Sequence, residues 1–126
     1  MMIPNILVID DDVQVLETMR SYLEESGRVH TVNGGRQALE FLHQHSVDII
    51  LLDVEMPIMD GYEAARRIRA MEDQEKAEIP IIAVTANAFE EDKNNAIESG
   101  MNAHLSKPID INQLFNTIKI FGSKFK

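Results

Sequence analysis

The segment Val47-Asp48-Ile49-Ile50-Leu51-Leu52-Asp53 decides the fold. It is apolar almost without interruption and closes on an aspartate, whereas a strand with one wet face would alternate apolar and polar residues. A run of this kind is covered on both faces, the situation of a strand inside a parallel sheet. Working outward, Ile6-Leu7-Val8-Ile9 and the block from Ile79 to Val84 repeat the pattern. Val29 to Val32 and Ala103 to Leu105 add two more blocks, so five strands are predicted.

The stretches between the blocks have helical spacing. Leu16, Met19 and Leu23 recur at i, i+3, i+7, and Ala64, Ile68 and Met71 at i, i+4, i+7, each marking one buried stripe. Helices are predicted near 13–26, 35–44, 61–71, 88–99 and 111–121. Gly27 and Gly100 fall where helix C-terminal turns take a left-handed residue. Asn87 with Glu90, and Asp110 with Gln113, have the three-residue spacing of N-terminal caps. The order βαβαβαβαβα implies an α/β doubly wound parallel sheet, with right-handed crossovers and helices on both faces.

The chain has 126 residues, 12 Lys+Arg against 21 Asp+Glu, and a formal net charge of −9. A hydrophobic share of 44% suits an ordinary globular core, and one domain over 1–126 is expected. No repeat, linker or low-complexity tract interrupts it. The chain ends directly after the fifth predicted helix, so no output domain is expected. Without cysteine there are no disulfides, thiolate metal sites or Cys nucleophiles, which fits a reducing compartment. Met1 to Asp10 lacks the basic and long apolar regions of a signal peptide, and no apolar run approaches the ~20 residues of a membrane span. A cytoplasmic location without membrane contact is expected. The acidity repels phosphate backbones, arguing against direct nucleic-acid binding, and favours a basic partner or a bound cation.

In an open parallel sheet, ligands bind beyond the carboxyl ends of the strands, near the point where strand order reverses. Strand one ends in Asp10-Asp11-Asp12, strand three in Asp53, strand four in Thr85, and strand five runs into Lys107-Pro108. Carboxylates about 5 Å apart repel by on the order of 3 kcal/mol per pair at an effective dielectric near 20. Lys107 offsets one charge. The surplus calls for a hard divalent cation with oxygen ligands, and Mg²⁺ is expected. A carboxylate beside such an ion is equipped to attack phosphorus, with metal, ammonium and hydroxyl holding the oxygens of the transferred group.

Over essentially its whole length the chain resembles a response regulator receiver domain of two-component signalling. The resemblance is carried by Ile6-Leu7-Val8-Ile9-Asp10-Asp11, by Leu52-Asp53-Val54-Glu55-Met56-Pro57-Ile58-Met59-Asp60-Gly61, by Val84-Thr85-Ala86, and by Lys107-Pro108. It implies a flavodoxin-like (βα)5 sheet of strand order 2-1-3-4-5. It implies Asp53 as phosphoacceptor from a phosphohistidine, and Mg²⁺, with Mn²⁺ as a substitute, held by Asp10, Asp11, Asp53 and the Glu55 backbone carbonyl. Thr85 and Lys107 would contact the phosphoryl group, the peptide to Pro108 would be cis, and Glu55 and Asn87 would occupy positions that tune phosphoaspartate hydrolysis. The domain would catalyse only its own phosphorylation and slow dephosphorylation.

Switching would run from Thr85 to the residue three positions before the site lysine. Receivers usually carry Tyr or Phe there; here it is His104, a smaller ring that titrates near neutrality. The output would be the face of the fourth helix, fifth strand and fifth helix. The segment from Gly100 to Asp110 is similar to receivers of hybrid sensor kinases, implying a histidine kinase or a histidine phosphotransfer protein as partner. The domain is expected as a monomer or a weak phosphorylation-dependent dimer.

Plainer roles fit other residues. Asp12 is expected to cap the first helix rather than bind metal, and Glu90, Glu91 and Asp92 to complement a helix dipole. Met56 to Gly61 reads as a structural loop, and His30 as a strand residue without a catalytic role. His43 and His45 are placed on different sides of a helix. Ile111, Leu114, Phe115 and Ile118 read mostly as core, and a partly exposed subset would form a docking face with the fourth helix. Three other functions compete. The Asp-x-Asp of Asp10 and Asp12 fits a haloacid-dehalogenase-like phosphatase poorly, since Gln14 stands where that class has Thr or Val. A flavodoxin-like cofactor site would meet repelling acids after strand one. A receiver that only docks, without phosphorylation, is the remaining alternative.

Overall fold

The computed structural model describes residues 3–86 and 90–121. Five strands, β1 (Asn5–Ile9), β2 (Arg28–Val32), β3 (Ile49–Asp53), β4 (Ile81–Thr85) and β5 (Ala103–Ser106), form one sheet in the order β2-β1-β3-β4-β5. Every pairing is parallel. The helices are α1 (Val13–Leu23), α2 (Gly35–Gln44), α3 (Gly61–Arg69), a short α4 (Gln74–Ala77), α5 (Glu90–Glu98) and α6 (Ile111–Phe121).

Alternation along the strands splits the core in two. Leu7, Ile9, Ile50, Leu52, Ile81 and Ala83 face one side and pack with Ala38 and Leu42 of α2, Ala64 and Ile68 of α3, and Ala96 of α5. Ile6, Val8, Ile49, Leu51, Ile82 and Val84 face the other and meet Leu16, Met19 and Leu23 of α1, and Leu114 and Ile118 of α6. β3 and β4 are buried at every position: their apolar runs as expected, and also the Asp53 and Thr85 that end them. On α6, Leu114 and Ile118 are core as their spacing predicts, whereas Ile111 and Phe115, read with them, are exposed.

Local details depart from the sequence reading at identifiable places. The third and fourth strands begin at Ile49 and Ile81, two residues later than expected, and the residues ahead of them are used as connectors. The Asp48 carboxylate accepts the Asn5 backbone N–H at 2.7 Å, and the Pro80 carbonyl accepts that of Ile50 at 2.9 Å. Helix α4 has no apolar stripe to betray it. It starts because Asp73 caps it, accepting from the Glu75 N–H at 3.0 Å.

Gly100 has φ +96° and closes α5 as a Schellman turn: its N–H donates to the Ile97 carbonyl, and that of Met101 to the Ala96 carbonyl, both at 3.0 Å. Gly27 is not left-handed; it is needed for space, because a Cβ there would lie 2.6 Å from the Pro4 carbonyl oxygen. Asp110 caps α6, accepting from the Asn112 and Gln113 N–H groups. The expected Asn87 cap lies outside the described residues.

His30 sits on the edge strand β2, where its Nε2 is 3.3 Å from the Asn5 side-chain oxygen and its ring meets Phe41. Burial, then the positive neighbours His45, Arg20 and Arg28, hold it below the usual imidazole range. It is a packing residue.

The end of the sheet opposite the strands' carboxyl termini is tied by Arg69, whose role the sequence did not disclose. Its guanidinium donates to the carbonyls of Gly100 (2.9 Å), Ala77 (2.9 Å) and Ile79 (2.7 Å) and to the Asn102 side-chain oxygen (2.9 Å). The same Asn102 oxygen accepts the Ile81 N–H at 2.8 Å. Arg69→Ala removes the donor from all of these acceptors; hydrogen bonds to a charged group contribute about 1.5–3 kcal/mol each and are not additive. The variant is expected to lose roughly 3 kcal/mol in urea denaturation, and a loss below about 1 kcal/mol would contradict this role.

Candidate functional site

Because every strand runs the same way, their carboxyl ends open onto one edge, and the residues that follow them converge there. Asp10 and Asp11 follow β1, Asp53 ends β3, Thr85 ends β4, and Lys107 follows β5. Carboxylate oxygens of Asp10, Asp11 and Asp53 all lie within 4.8 Å of one another; Asp10 and Asp53 are buried and Asp11 is exposed. Lys107 Nζ stands between the buried pair, 3.2 Å from Asp10 Oδ2 and 3.2 Å from Asp53 Oδ1. The Lys107–Pro108 peptide is cis.

Backbone groups complete the positioning. Asp10 Oδ1 accepts the Asp12 N–H at 2.9 Å, and Asp53 Oδ1 accepts the Glu55 N–H at 3.2 Å. Asp12 turns away and caps α1 through the Gln14 N–H at 2.9 Å, as expected of it. The loop from Met56 to Asp60 serves structure: Met56 is buried, the Met59 N–H donates to the Pro57 carbonyl, and Asp60 caps α3.

The electrostatics show what the carboxylates lack. Burial, and then repulsion from Asp10, raise the Asp53 carboxyl above its usual range, against the lowering effects of the Glu55 N–H and Lys107. Burial disfavours the Lys107 ammonium, but attraction to Asp53 and Asp10 outweighs it and raises the group above the ordinary lysine value. One ammonium thus serves two buried acids, and Asp53 is left incompletely compensated. An all-oxygen set of three carboxylates with a deficit of positive charge is the donor chemistry of a hard divalent cation. Asp10, Asp11 and Asp53 therefore form a cluster able to hold a metal ion.

Thr85 and His104 lie on the neighbouring strands. His104 is in register with Ala83, and together with Thr85, Val54, Tyr62 and Ala96 it lines a narrow gap between the sheet and α5. One contact was not read from the sequence. The exposed Glu55 carboxylate reaches across to β4, where its Oε1 accepts the Thr85 hydroxyl at 2.9 Å and the Ala86 N–H at 2.8 Å. The available signal was an acid two residues beyond the strand-end aspartate, which by itself does not name a partner.

The model of the response regulator receiver domain family matches residues 6–119. The chain is 38% identical over 117 residues to the sensor protein GacS of Pseudomonas syringae pv. syringae, covering 91% of this chain but only 13% of that protein's length. A solved structure of the receiver domain of the sensor histidine kinase PA1611 from Pseudomonas aeruginosa, with magnesium coordinated in its active-site cleft, matches with TM-score 0.85 and 34% identity, covering 95% of this chain and 98% of that one. The co-crystal structure of the Saccharomyces cerevisiae histidine phosphotransfer protein Ypd1 with the receiver domain of Ssk1 matches with TM-score 0.88 and 28% identity, over 98% of this chain and 92% of that one.

The charge deficit has a measurable consequence. The folded-state pKa of Asp53 lies above its unfolded value, so the native state holds the proton more tightly and stability falls as pH rises through that window. Asp53→Asn removes the penalty. In metal-free buffer near neutral pH it is expected to stabilise the fold by on the order of 1 kcal/mol, with the gain vanishing in acid where wild-type Asp53 is protonated. Thermal melts across pH check this; a gain that persists unchanged in acid would contradict it.

Proposed function

The chain belongs to the response regulator receiver domain family, the signalling domain of two-component and phosphorelay systems, and we propose that Asp53 is its phosphoacceptor. One observation carries the reading: the buried carboxylates of Asp53 and Asp10 share Lys107 at 3.2 Å each, with Asp11 beside them. Mg²⁺, or Mn²⁺ in its place, would be held by Asp10, Asp11, Asp53 and the Glu55 backbone carbonyl. When bound, the ion supplies positive charge to phosphoryl oxygens and relieves the repulsion among the acids.

The chain's own residues supply the rest. A carboxylate oxygen of Asp53 attacks the phosphorus of a phosphohistidine; the P–N bond breaks and the donor imidazole leaves with the electron pair. Lys107, already poised on Asp53 Oδ1, neutralises charge on the transferred group, and the Thr85 hydroxyl donates to one of its oxygens. Positioning before the donor arrives lowers the barrier. The domain catalyses only this acquisition and the slow hydrolytic loss.

Output follows from a population shift. Thr85 moves to the phosphoryl group, His104 turns toward the space it leaves, and the surface of α5, β5 and α6 is remodelled. The exposed Ile111 and Phe115 lie on that surface. The phosphodonor is a histidine kinase, a histidine phosphotransfer protein or both, which the kinship to hybrid kinases and to a receiver solved with such a protein supports. Residues 1–126 act as one receiver domain in the cytoplasm, as a monomer or a weak phosphorylation-dependent dimer, without direct nucleic-acid contact. Among the described residues no helix is long and apolar enough to cross a membrane.

Incubation with Mg²⁺ and acetyl phosphate is expected to add one phosphoryl group, detected by mass spectrometry, and Asp53→Asn to abolish it. No mass shift, together with no binding of beryllofluoride, would leave a docking module in place of a phosphoacceptor. Amide chemical shifts on phosphorylation are expected to change at His104 and along α5 and α6; changes confined to the surroundings of Asp53 would overturn the switching route.

A further inference from the structure

We propose that the Glu55 side chain is a positioning group that holds Thr85 and the start of the β4–α5 connection in the resting arrangement, and so sets how readily the domain switches. The inference rests on Asp53 being the phosphoacceptor. Glu55 touches both halves of the switch. Its backbone N–H donates to Asp53 Oδ1 at 3.2 Å, while its carboxylate takes the Thr85 hydroxyl at 2.9 Å and the Ala86 N–H at 2.8 Å through the same oxygen.

A threonine hydroxyl has one proton to donate. Directed at Glu55, that proton does not reach a phosphoryl oxygen on Asp53, so the two bonds are alternatives. The Ala86 N–H is engaged in the same way, and both bonds span about thirty residues of sequence, from the β3–α3 loop to the end of β4. They fix the relative position of those two loops rather than the conformation within either one.

Arrival of a doubly charged phosphoryl group shifts the balance. Its oxygens compete for the hydroxyl, and its charge repels the carboxylate. Glu55 is exposed, so on release it returns to water without the penalty of a buried charge. The resting and switched states thus differ by an exchange of hydrogen-bond acceptors at Thr85. A ligand moves such an equilibrium only by its difference in affinity for the two states. Removing the resting-state acceptor therefore raises apparent affinity for anything that selects the switched state.

The test uses the full chain, with beryllofluoride and Mg²⁺ standing in for the phosphoryl group, in wild type, Glu55→Ala and Glu55→Gln. Alanine removes the acceptor and is expected to tighten apparent beryllofluoride affinity by roughly tenfold, equivalent to about 1.4 kcal/mol. Glutamine keeps an acceptor oxygen but not the charge, and is expected to tighten it markedly less. In ligand-free, metal-free protein, the Ala86 amide proton and Thr85 methyl resonances are expected to move in the alanine variant and to stay near wild type in the glutamine variant.

Equal tightening in both variants would mean that Glu55 acts through repulsion alone and would overturn the proposal. So would no tightening in the alanine variant, or unmoved Thr85 and Ala86 resonances. Failure of wild type to bind beryllofluoride would overturn the phosphoacceptor reading instead, and the ligand-free spectra would then decide the hold on Thr85 by themselves.

Discussion

One ammonium between two buried carboxylates governs this domain. Lys107 stands 3.2 Å from both Asp10 and Asp53, and neither acid would be tolerated at 2% exposure without it. The arrangement is stable yet unfinished, because a single positive charge does not satisfy two acids with a third alongside. That residue of uncompensated charge is what makes the strand ends a place suited to a cation. The family relationship and the electrostatics both single out this edge of the sheet.

The rest of the fold supplies the geometry for that contact. Helical crossovers between successive strands make them run parallel and cover both faces of the sheet, and parallel strands deliver their final residues to one edge. β1 and β3 are neighbours, in register from Ile6 with Ile49 to Ile9 with Leu52, so Asp10 and Asp53 emerge side by side. β5 lies two strands from β3, and Lys107 spans that gap with its long side chain. A small number of apolar core residues thus does the work of orienting a polar cluster that contributes little stability of its own.

Much of this was legible in the sequence, for a physical reason. Asp10, Asp53 and Thr85 each terminate an apolar run, and position at the end of a run translates directly into position on the sheet edge. The helices announced themselves where an apolar stripe existed, as in α1 with Leu16, Met19 and Leu23. What escaped lacked such periodicity. Helix α4 is polar and depends on the Asp73 cap; Arg69 is one of three arginines in the last turn of α3, and its acceptors are mostly backbone carbonyls; Glu55 is an exposed acid whose side-chain partners stand about thirty residues away. Gly27 was assigned the right importance for the wrong cause, since crowding by Pro4, not handedness, excludes a side chain there. Long-range hydrogen bonds by flexible polar side chains leave no local pattern.

Helix α5 is anchored firmly at its C-terminal foot. At its C-terminal foot the Schellman turn at Gly100 is clamped by Arg69, and Ser99 receives a further bond from Arg66 at 3.3 Å. Its other end begins five residues after Thr85, and its first turn is touched by the Tyr62 hydroxyl, 3.5 Å from the Asp92 carbonyl. A rod about 13 Å long, at roughly 1.5 Å per residue, that is riveted at one tip behaves as a lever. Under the switching route proposed above, a displacement at the chemical edge would be felt most in the first turns of this helix and least at its foot.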